Sequence, residues 1–348
     1  MWILRDSMAH RKRAVYPRKG GPDVIEIIEE EMPSLNSQHI RIDVHYAGVN
    51  FADLMMRVGL YGAAPPFPFT PGYEVSGVIS EIGNSVKNLN VGDAVVAITR
   101  FGGYSTFVDV NPEQCFRLDG VEDLVSTAAI PVTYATAHHM LVHLGKIRKG
   151  DSVLIHHAAG GVGSAAAQIA QAKGAGILVG TASSNKKEFV EQQGMIHVSR
   201  NDDFVEISRS LTNGKGVDHA LDPVGGKHLM QSYRALSKGG KLYSFGASSA
   251  IPGKKRNMIA ALKMWWRMPK FDPLRMMNSN KAVFGVHLGT WENDEIMREQ
   301  MEDIVEMYRN GNLTPVVDSI FKLDEAAKAH SYMHERRNKG KILLDCRS

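Results

Sequence analysis

Three closely spaced glycines, Gly160, Gly161 and Gly163, follow the short apolar run 153–155 and precede the small residues 164–167. This order predicts a buried strand, a tight turn and a helix that lies close to a sheet. Residues without side chains let the backbone N–H groups at a helix N-terminus approach a pyrophosphate. The predicted phosphate-binding turn comprises Ala159, Gly160, Gly161, Val162 and Gly163.

The usual G-x-G-x-x-G pattern has its first glycine where this chain has Ala158. A glycine cluster alone is therefore also compatible with a purely structural turn. A second apolar run at 177–181 begins after Gly174 and Gly176, which closes a strand–helix–strand unit of the expected length. This context favours a dinucleotide site.

The residues around the end of that second strand predict which nicotinamide cofactor binds. An acidic side chain there would accept from the ribose hydroxyls and repel a 2′-phosphate, but this chain has none at that place. It offers hydroxyl donors and cations, which favour NADPH. They are Thr181, Ser183, Lys186, Lys187 and Arg200. The alternative is that Lys186 and Lys187 only begin a solvated helix.

Length and composition are those of an ordinary globular protein. With 348 residues the chain is long enough for two domains. A net charge of +4 is too small to indicate nucleic acid binding. The two cysteines, Cys115 and Cys346, cannot form a disulfide framework, which fits a reducing compartment. No apolar N-terminal segment is long enough for secretion or membrane spanning, so we expect a cytoplasmic protein.

Short apolar runs between glycine and proline turns dominate the first third of the chain and predict a β-rich domain. A proline-rich loop at 61–72 is stiff and could wall a pocket. After a predicted helix at 127–144, strand-like runs alternate with helical segments, as expected for a doubly wound parallel sheet of about six strands. These runs are 177–181, 217–221, 241–245 and 282–286. A further amphipathic helix is predicted at 294–310.

Six motifs in the same order resemble the medium-chain dehydrogenase/reductase superfamily, and within it the zinc-free quinone oxidoreductase branch. They are A-G-V-N-F-A-D ending at Asp53, R-V-G-L-Y ending at Tyr61, P-G-Y-E ending at Glu74, V-G-D ending at Asp93, A-A-G-G-V-G ending at Gly163 and N-K-G-K ending at Lys341. The likeness is nearer still to the synaptic vesicle membrane (vesicle amine transport) protein family, through Trp265-Trp266 and the F-G-V-H-L-G run ending at Gly289.

The resemblance implies an α/β protein with a GroES-like β-rich domain and a Rossmann domain. The expected boundaries are 1–128, completed by 288–348, for the first domain and 129–287 for the second. The resemblance also implies NADPH binding, a homodimer and, in animal members, an association with membranes. Asp53 would orient its loop. Because Met55 stands where many bacterial quinone reductases have a tyrosine, no role of that tyrosine is carried over.

Several residues outside the glycine turn are implied by the resemblance to contact the cofactor. Some would lie near the nicotinamide, and two would reach the cofactor from the C-terminal segment. They are Asn50, Thr133, Gly246, His287 and Leu288 for the nicotinamide, and Asn338 and Lys341 for the C-terminal segment.

Zinc-containing members of this superfamily hold a catalytic ion with a cysteine and a histidine where this chain has Asn50 and Tyr73, and with a second cysteine near Thr133. Those ligands are absent, and two cysteines cannot supply a four-cysteine structural site. The pair His139 and His143, four residues apart, could suggest a metal, with ordinary helix histidines as the alternative. We predict no metal ligands.

A nicotinamide can deliver hydride to a quinone or an enone without a metal, because such an acceptor is already electron-poor. The acceptor oxygen then needs a proton. Tyr61 is the predicted donor and Tyr73 the second choice, with packing as the alternative role of both. With Asn50 they form the predicted catalytic set. We expect a zinc-independent, NADPH-dependent oxidoreductase of quinones or α,β-unsaturated carbonyl compounds.

Residues 253–277 favour a rival function. They combine seven cations and the single acid Asp272 with Trp265, Trp266, Phe271 and five methionines. Cations beside aromatic and flexible apolar side chains suit an anionic lipid surface. The chain would then be an NADPH-binding membrane-surface or lipid-binding protein with little catalysis. The same composition could instead form a lid over the acceptor pocket or an oligomer contact.

Overall fold

In the computed structural model, which describes residues 10–348 except 122, 252, 255–256 and 291–293, the chain divides into two units. The first unit comprises the chain up to Pro131 together with Ser319–Met333 and Ile342–Ser348. The second unit comprises Val132–Asp318 and His334–Lys341. Residues 288–318 therefore group with the second unit.

The first unit is built mainly of antiparallel strands. Its strands are β1 (His10–Val15), β2 (Glu26–Glu31), β3 (Ile40–Val49), β4 (Glu74–Ile82), β5 (Ala94–Ile98), β6 (Phe107–Val110), β7 (Cys115–Arg117), β14 (Val317–Lys322) and β15 (Lys341–Asp345), and its helices are α1 (Phe51–Arg57), α2 (Leu124–Thr127) and α11 (Ala326–His334). One sheet runs in the order β14, β15, β3, β4, β5, β7, with β6 also paired to β3, and β1 pairs with β2.

The sequence of β3, the central strand of that sheet, has apolar residues at alternate positions, which explains why one of its faces is buried. Ile40, Ile42 and Val44 occupy every second position of β3 and are fully buried in the core of the first unit. The C-terminal strand β15 pairs with β3 in antiparallel register. The end of the chain thus returns to the β-rich unit.

The second unit contains a six-stranded parallel sheet. Its strands are β8 (Ser152–His156), β9 (Ile177–Ala182), β10 (Ile196–Ser199), β11 (Val217–Asp222), β12 (Leu236–Ser244) and β13 (Ala282–Gly285). The order β10, β9, β8, β11, β12, β13 reverses between β8 and β11, which is the order of a doubly wound dinucleotide-binding sheet. Both the GroES-like and the Rossmann fold class are confirmed.

Helices follow most of these strands. They are α3 (Pro131–His138), α4 (Gly161–Ala172), α5 (Lys187–Gln192), α6 (Phe204–Leu211), α7 (Lys227–Ala235), α8 (Met258–Trp266), α9 (Pro273–Ser279) and α10 (Asp294–Arg309). The predicted helix at 127–144 is divided between α2, α3 and a π-helical turn, His139–Leu144. Among the described residues, no helix combines the length and apolar character needed to cross a membrane.

Helix α10 explains why 288–318 groups with the second unit. The side chain of His138 on α3 contacts Asp303 at 2.7 Å, and Lys173 after α4 contacts the same carboxylate at 3.2 Å. Gln300 contacts the rings of His138 and His139 at 3.4 and 3.3 Å. These polar contacts attach α10 to helices of the second unit.

Candidate active site

The glycine turn joins the central strand β8 to α4, whose N-cap is Gly160. A Cβ atom on Gly163 would lie 2.5 Å from the carbonyl oxygen of His157 and 2.7 Å from that of Ala158. Only glycine therefore lets the first turn of α4 pack this closely on the end of β8. The first N–H groups of a helix have no partner within it, and those of α4 lie where the strand order reverses, which is where dinucleotides bind in such sheets.

The C-terminal segment of the second unit lies against this turn. The N–H of Gly340 donates to the carbonyl oxygen of Ala159 at 2.9 Å, and Gly160 and Gly340 form a parallel bridge. A Cβ atom on Gly161 would lie 2.9 Å from Cγ2 of Thr133 and 3.7 Å from Cδ of Lys341. The structure thus brings Thr133 and Lys341, both buried, to the predicted phosphate-binding turn.

A cavity of about 410 Å³ lies at the carboxyl ends of β9 and β10. Its lining residues are Ser183, Ser184, Ser199, Arg200 and Asn201. The two predicted lysines differ here. The Nζ atom of Lys186 donates to the main-chain carbonyl of Asn338, whereas Lys187 forms an exposed ion pair with Glu191 at 3.8 Å. The alternative reading of a solvated helix start therefore fits Lys187 better than Lys186.

Arg336 is a cation of this region that the sequence did not identify. Partial burial lowers its pKa, and the charge of neighbouring Arg200 lowers it as well. Burial lowers the pKa of His157, next to the glycine turn, to about 4, and both guanidiniums add to that shift. Within the described part of the chain, neither Arg200 nor Arg336 has a hydrogen-bonded acidic partner. The only signal in the sequence was the position of Arg336 just before the predicted Asn338 and Lys341.

Thr181, Gly246, His287 and Leu288 also lie at the carboxyl edge of the parallel sheet. The buried Thr181 hydroxyl contacts Nδ1 of His156 at 2.8 Å, so it is used inside the unit. Gly246 follows β12, and a Cβ atom there would lie 2.8 Å from the carbonyl oxygen of Pro223. His287 and Leu288 follow β13, the neighbouring strand, and burial lowers the pKa of His287.

Asn50 belongs to the first unit, where it caps α1. Its N–H donates to the carboxylate of Asp53 at 2.8 Å, which gives Asp53 the predicted orienting role. Its amide Nδ2 donates to Oε1 of the buried Glu74 at 2.8 Å and to the carbonyl oxygen of Gly48 at 3.4 Å. These two contacts orient the amide through its nitrogen.

Tyr61 and Tyr73 form a hydrogen-bonded pair in the same unit. The Tyr73 hydroxyl donates to the Tyr61 oxygen at 3.2 Å, and the rings meet edge to face with centroids 6.3 Å apart. Burial raises the pKa of both hydroxyls, and the hydrogen bond raises the pKa of Tyr73 further. Both therefore stay protonated at neutral pH.

The positions that hold catalytic zinc in other members do not fit the ion here. The Asn50 amide nitrogen donates to Glu74, and the Tyr73 hydroxyl donates to Tyr61, so neither offers a thiolate or an imidazole. The histidines on α3 and its π-helical turn contact Gln300 and Asp303, and His139 stacks on His143 with ring centroids 5.0 Å apart. Among the residues that the structure describes, the metal-compatible group is a different one, formed by His156, Asp222 and His228.

Comparison with known proteins agrees with both units. The profile of the alcohol dehydrogenase GroES-like domain matches residues 36–145, and that of a zinc-binding dehydrogenase matches residues 193–344. The synaptic vesicle membrane protein VAT-1 homolog of Danio rerio is 38% identical, over 93% of this chain and 68% of its own length. A probable quinone oxidoreductase of Schizosaccharomyces pombe is 31% identical, over 94% of this chain and 95% of its own.

The fold comparison agrees as well. The crystal structure of Escherichia coli quinone oxidoreductase complexed with NADPH superposes with a TM-score of 0.84 at 26% identity, covering 96% of this chain and 99% of that one. The two profiles, the long alignments and the strand order of the second unit lead to one conclusion. This chain is an oxidoreductase that belongs to the medium-chain dehydrogenase/reductase family, in the group of the quinone oxidoreductases and the VAT-1 homologs.

Proposed function

We propose that this protein is an NADPH-dependent, zinc-independent reductase of quinones or α,β-unsaturated carbonyl compounds. The observation that carries the proposal is the cationic rim of the serine-lined cavity. Arg200 lines the cavity and its charge lowers the pKa of the neighbouring Arg336, and no acidic side chain of the described residues is paired with either guanidinium. Such a rim attracts a 2′-phosphate, and the residues that line the cavity include no carboxylate to accept from the free ribose hydroxyl of NADH.

The glycine turn would hold the pyrophosphate through the backbone N–H groups of α4. The side chains of Thr133 and Lys341 lie beside Gly161, and Nζ of Lys186 donates to the main-chain carbonyl of Asn338. Bound in this way, NADPH supplies a hydride at its nicotinamide ring. The expected neighbours of that ring in the second unit are Gly246, His287 and Leu288. We also propose that the free edge of β13 forms a homodimer, which the mass in solution would test.

In the first unit, Tyr61 would donate a proton to the acceptor oxygen as the hydride reaches the acceptor. Tyr73 stabilises the anion left on Tyr61 because it donates to the same oxygen. Glu74 holds the Asn50 amide nitrogen and so fixes the orientation of a side chain that we propose lies beside the nicotinamide. The reaction requires no metal, since a quinone or an enone is electron-poor without one.

Turnover tests this proposal. NADPH oxidation is followed with a panel of ortho-quinones, para-quinones and enones, with NADH in parallel at equal concentration. We expect oxidation of NADPH by at least one acceptor class, with kcat/KM at least about tenfold above that with NADH, the effect of one charge-assisted contact. Tight NADPH binding with no acceptor reduced would contradict the reductase function, and equal use of NADH would contradict the cofactor assignment.

A second candidate function is binding at an anionic lipid surface. The side chains of Ile259, Trp265 and Trp266 on α8 are 81%, 71% and 79% exposed, and Leu274 and Met277 on α9 are 66% and 67% exposed. The acid of the segment, Asp272, caps α9 by accepting from two backbone N–H groups. Lys254, at the start of the segment, pairs with Glu335, while Lys255 and Arg256 lie outside the described residues. Exposed aromatic and apolar side chains next to cations suit an anionic bilayer.

Vesicle flotation tests the second candidate. The wild-type chain is expected to float with vesicles that contain anionic lipid and not with neutral vesicles. Trp265→Ala combined with Trp266→Ala should lose flotation and keep NADPH affinity. Ile320→Ala, which removes another exposed apolar side chain outside the segment, serves as control. Unchanged flotation of the double variant, or flotation that ignores lipid charge, would contradict a lipid role for α8.

A further inference from the structure

Four polar side chains meet at the ends of two neighbouring strands in the second unit. His156 is the last residue of β8 and Asp222 the last residue of β11, and these parallel strands pair directly. His228 and Ser232 lie four residues apart on α7, so they share one face of that helix. The topology therefore brings together residues that are widely separated in the sequence, and no motif predicted their meeting.

The contacts within this group converge on one carboxylate oxygen. Oδ2 of Asp222 lies 2.8 Å from Nδ1 of His228 and accepts from the Ser232 hydroxyl at 2.6 Å. The same hydroxyl oxygen lies 3.0 Å from Nε2 of His156. One ligand atom each of His156, Asp222 and His228 lies within 4.8 Å of the other two.

We propose that His156, Asp222 and His228 bind a divalent transition metal ion, with zinc as the best match. Two imidazoles and one carboxylate form a donor set that zinc prefers. In a tetrahedral site, bonds of about 2.0–2.2 Å place two ligand atoms about 3.4 Å apart. The three ligand atoms, which lie within 4.8 Å of one another here, would therefore draw together when the ion binds. The Ser232 hydroxyl or a water molecule would complete a four-coordinate site.

The surroundings orient two of the three ligands as a metal site requires. Nδ1 of His156 contacts the Thr181 hydroxyl at 2.8 Å, which directs Nε2 towards the group. The other carboxylate oxygen of Asp222 accepts from the backbone N–H groups of Val224 at 2.7 Å and Gly225 at 3.1 Å. Hydrogen bonds of this kind fix the ring orientation of a ligating histidine and hold a ligating carboxylate in place.

Burial fits a structural ion with one side open for entry. His156 is 1% exposed and Asp222 is fully buried, while the side chain of His228 is 24% exposed. An ion would link the carboxyl ends of β8 and β11 to the first turn of α7. None of its ligands coincides with Asn50 or Tyr73, so the ion would stabilise the unit and not take part in hydride transfer.

The test uses the full chain after treatment with a chelator. Calorimetric titration with Zn²⁺ is expected to give one equivalent of binding, and Co²⁺ in its place should give the visible absorption of a four-coordinate ion. Zinc should also raise Tm, because an ion that binds only the folded chain stabilises it. Asp222→Asn and His228→Asn should each abolish the one-equivalent binding, while His10→Asn, at an exposed histidine of β1, should not.

NADPH affinity of each variant reports whether the second unit has folded. If Asp222→Asn fails to fold, His228→Asn decides, because its side chain is partly exposed and lies on the rim of the group. Absence of one-equivalent binding by the wild-type chain would overturn the proposal. So would His228→Asn binding zinc as tightly as the wild type, since the four side chains would then form a hydrogen-bond network only.

Discussion

The predicted sites of the two units are built from different atoms, backbone groups in the second unit and side chains in the first. In the second unit, the predicted phosphate site consists of backbone N–H groups at the start of α4, and its shape depends on the missing side chain of Gly163. In the first unit, the site consists of side chains, and Asn50 and Tyr61 are oriented by Glu74 and Tyr73. A backbone site is recognisable from a short local pattern, whereas a side-chain site depends on partners distant in sequence.

Of the substitutions that test this difference between the units, those of the tyrosine pair should have the largest effect, a loss of kcat. Tyr61→Phe removes the proposed proton donor and should lower kcat by about 100-fold, the usual contribution of a positioned acid. Tyr73→Phe leaves the donor in place and should cost less. NADPH affinity should be unchanged in both, because neither tyrosine is among the predicted cofactor contacts. Steady-state kinetics and cofactor titration measure the two effects, and a fall in NADPH affinity with unchanged kcat would contradict the assignment.

The dependence of kcat on pH also tests Tyr61 as the proton donor. Burial raises the pKa of Tyr61 above its ordinary value of 10.0, so the donor keeps its proton as the pH rises to that value. The kcat of the wild type should therefore show no loss of a proton donor between neutral pH and pH 10.0. A decline centred well below that pH, absent from Tyr61→Phe, would mean that the pKa of Tyr61 is not raised.

NADPH affinity at the glycine turn should fall when a single methyl group is added to Gly163. Gly163→Ala places Cβ 2.5 Å from the carbonyl oxygen of His157, so the turn or the helix must shift. Overpacking of this kind costs about 1–3 kcal/mol, and we expect NADPH affinity to fall by about 10–100-fold. Gly253→Ala is the matched control, because no atom of the described residues lies within 4 Å of its Cβ position. Equal NADPH affinity of the two variants, measured by titration, would show that Gly163 does not shape the site.

The cationic rim should set cofactor preference with a smaller effect. Arg200→Glu replaces a guanidinium that lines the cavity, and Arg336→Glu replaces the guanidinium whose pKa Arg200 lowers, in each case by a carboxylate that repels a 2′-phosphate. Each should weaken NADPH binding by about tenfold or more, the size of a charge-assisted hydrogen bond, and leave NADH binding unchanged. Parallel titrations with the two cofactors check this, and equal losses for both cofactors would indicate damage to the fold.

Substitution of Lys187 should have the smallest effect on NADPH affinity. Its Nζ atom pairs with Glu191 on the surface of α5, away from the carbonyl of Asn338 that Lys186 contacts. Exposed pairs of this kind contribute about 0.3–0.5 kcal/mol at most. Lys187→Gln should therefore change NADPH affinity by no more than about twofold, whereas Lys186→Gln should weaken it more. A larger loss from Lys187→Gln than from Lys186→Gln would reverse this order.

These cases show what the sequence can predict. The run 153–155, the glycines and the later apolar runs identify a doubly wound sheet, because buried parallel strands and a phosphate turn have local patterns. The short strand β7 and the packing of α10 on α3 were not predictable in this way. They depend on long-range contacts such as those between His138, Gln300 and Asp303.

The site shows the same division. Thr133, Asn338 and Lys341 were identified only through resemblance, since nothing in their own surroundings predicts that they meet the glycine turn. Arg336 was missed because two adjacent arginines near a C-terminus are usually a solvated surface. The group of His156, Asp222 and His228 was missed because its members become neighbours only through the pairing of β8 with β11.

The most direct test of the central claim is a kinetic isotope effect on cofactor oxidation. NADPH that carries deuterium at the transferred position of the nicotinamide is compared with unlabelled NADPH, with the best acceptor of the panel, in single turnover. If this protein transfers the hydride, the labelled cofactor should be oxidised more slowly than the unlabelled one. Neither cofactor should be oxidised without the enzyme. NADPH that binds to the second unit and remains unoxidised with every quinone and enone would contradict the account.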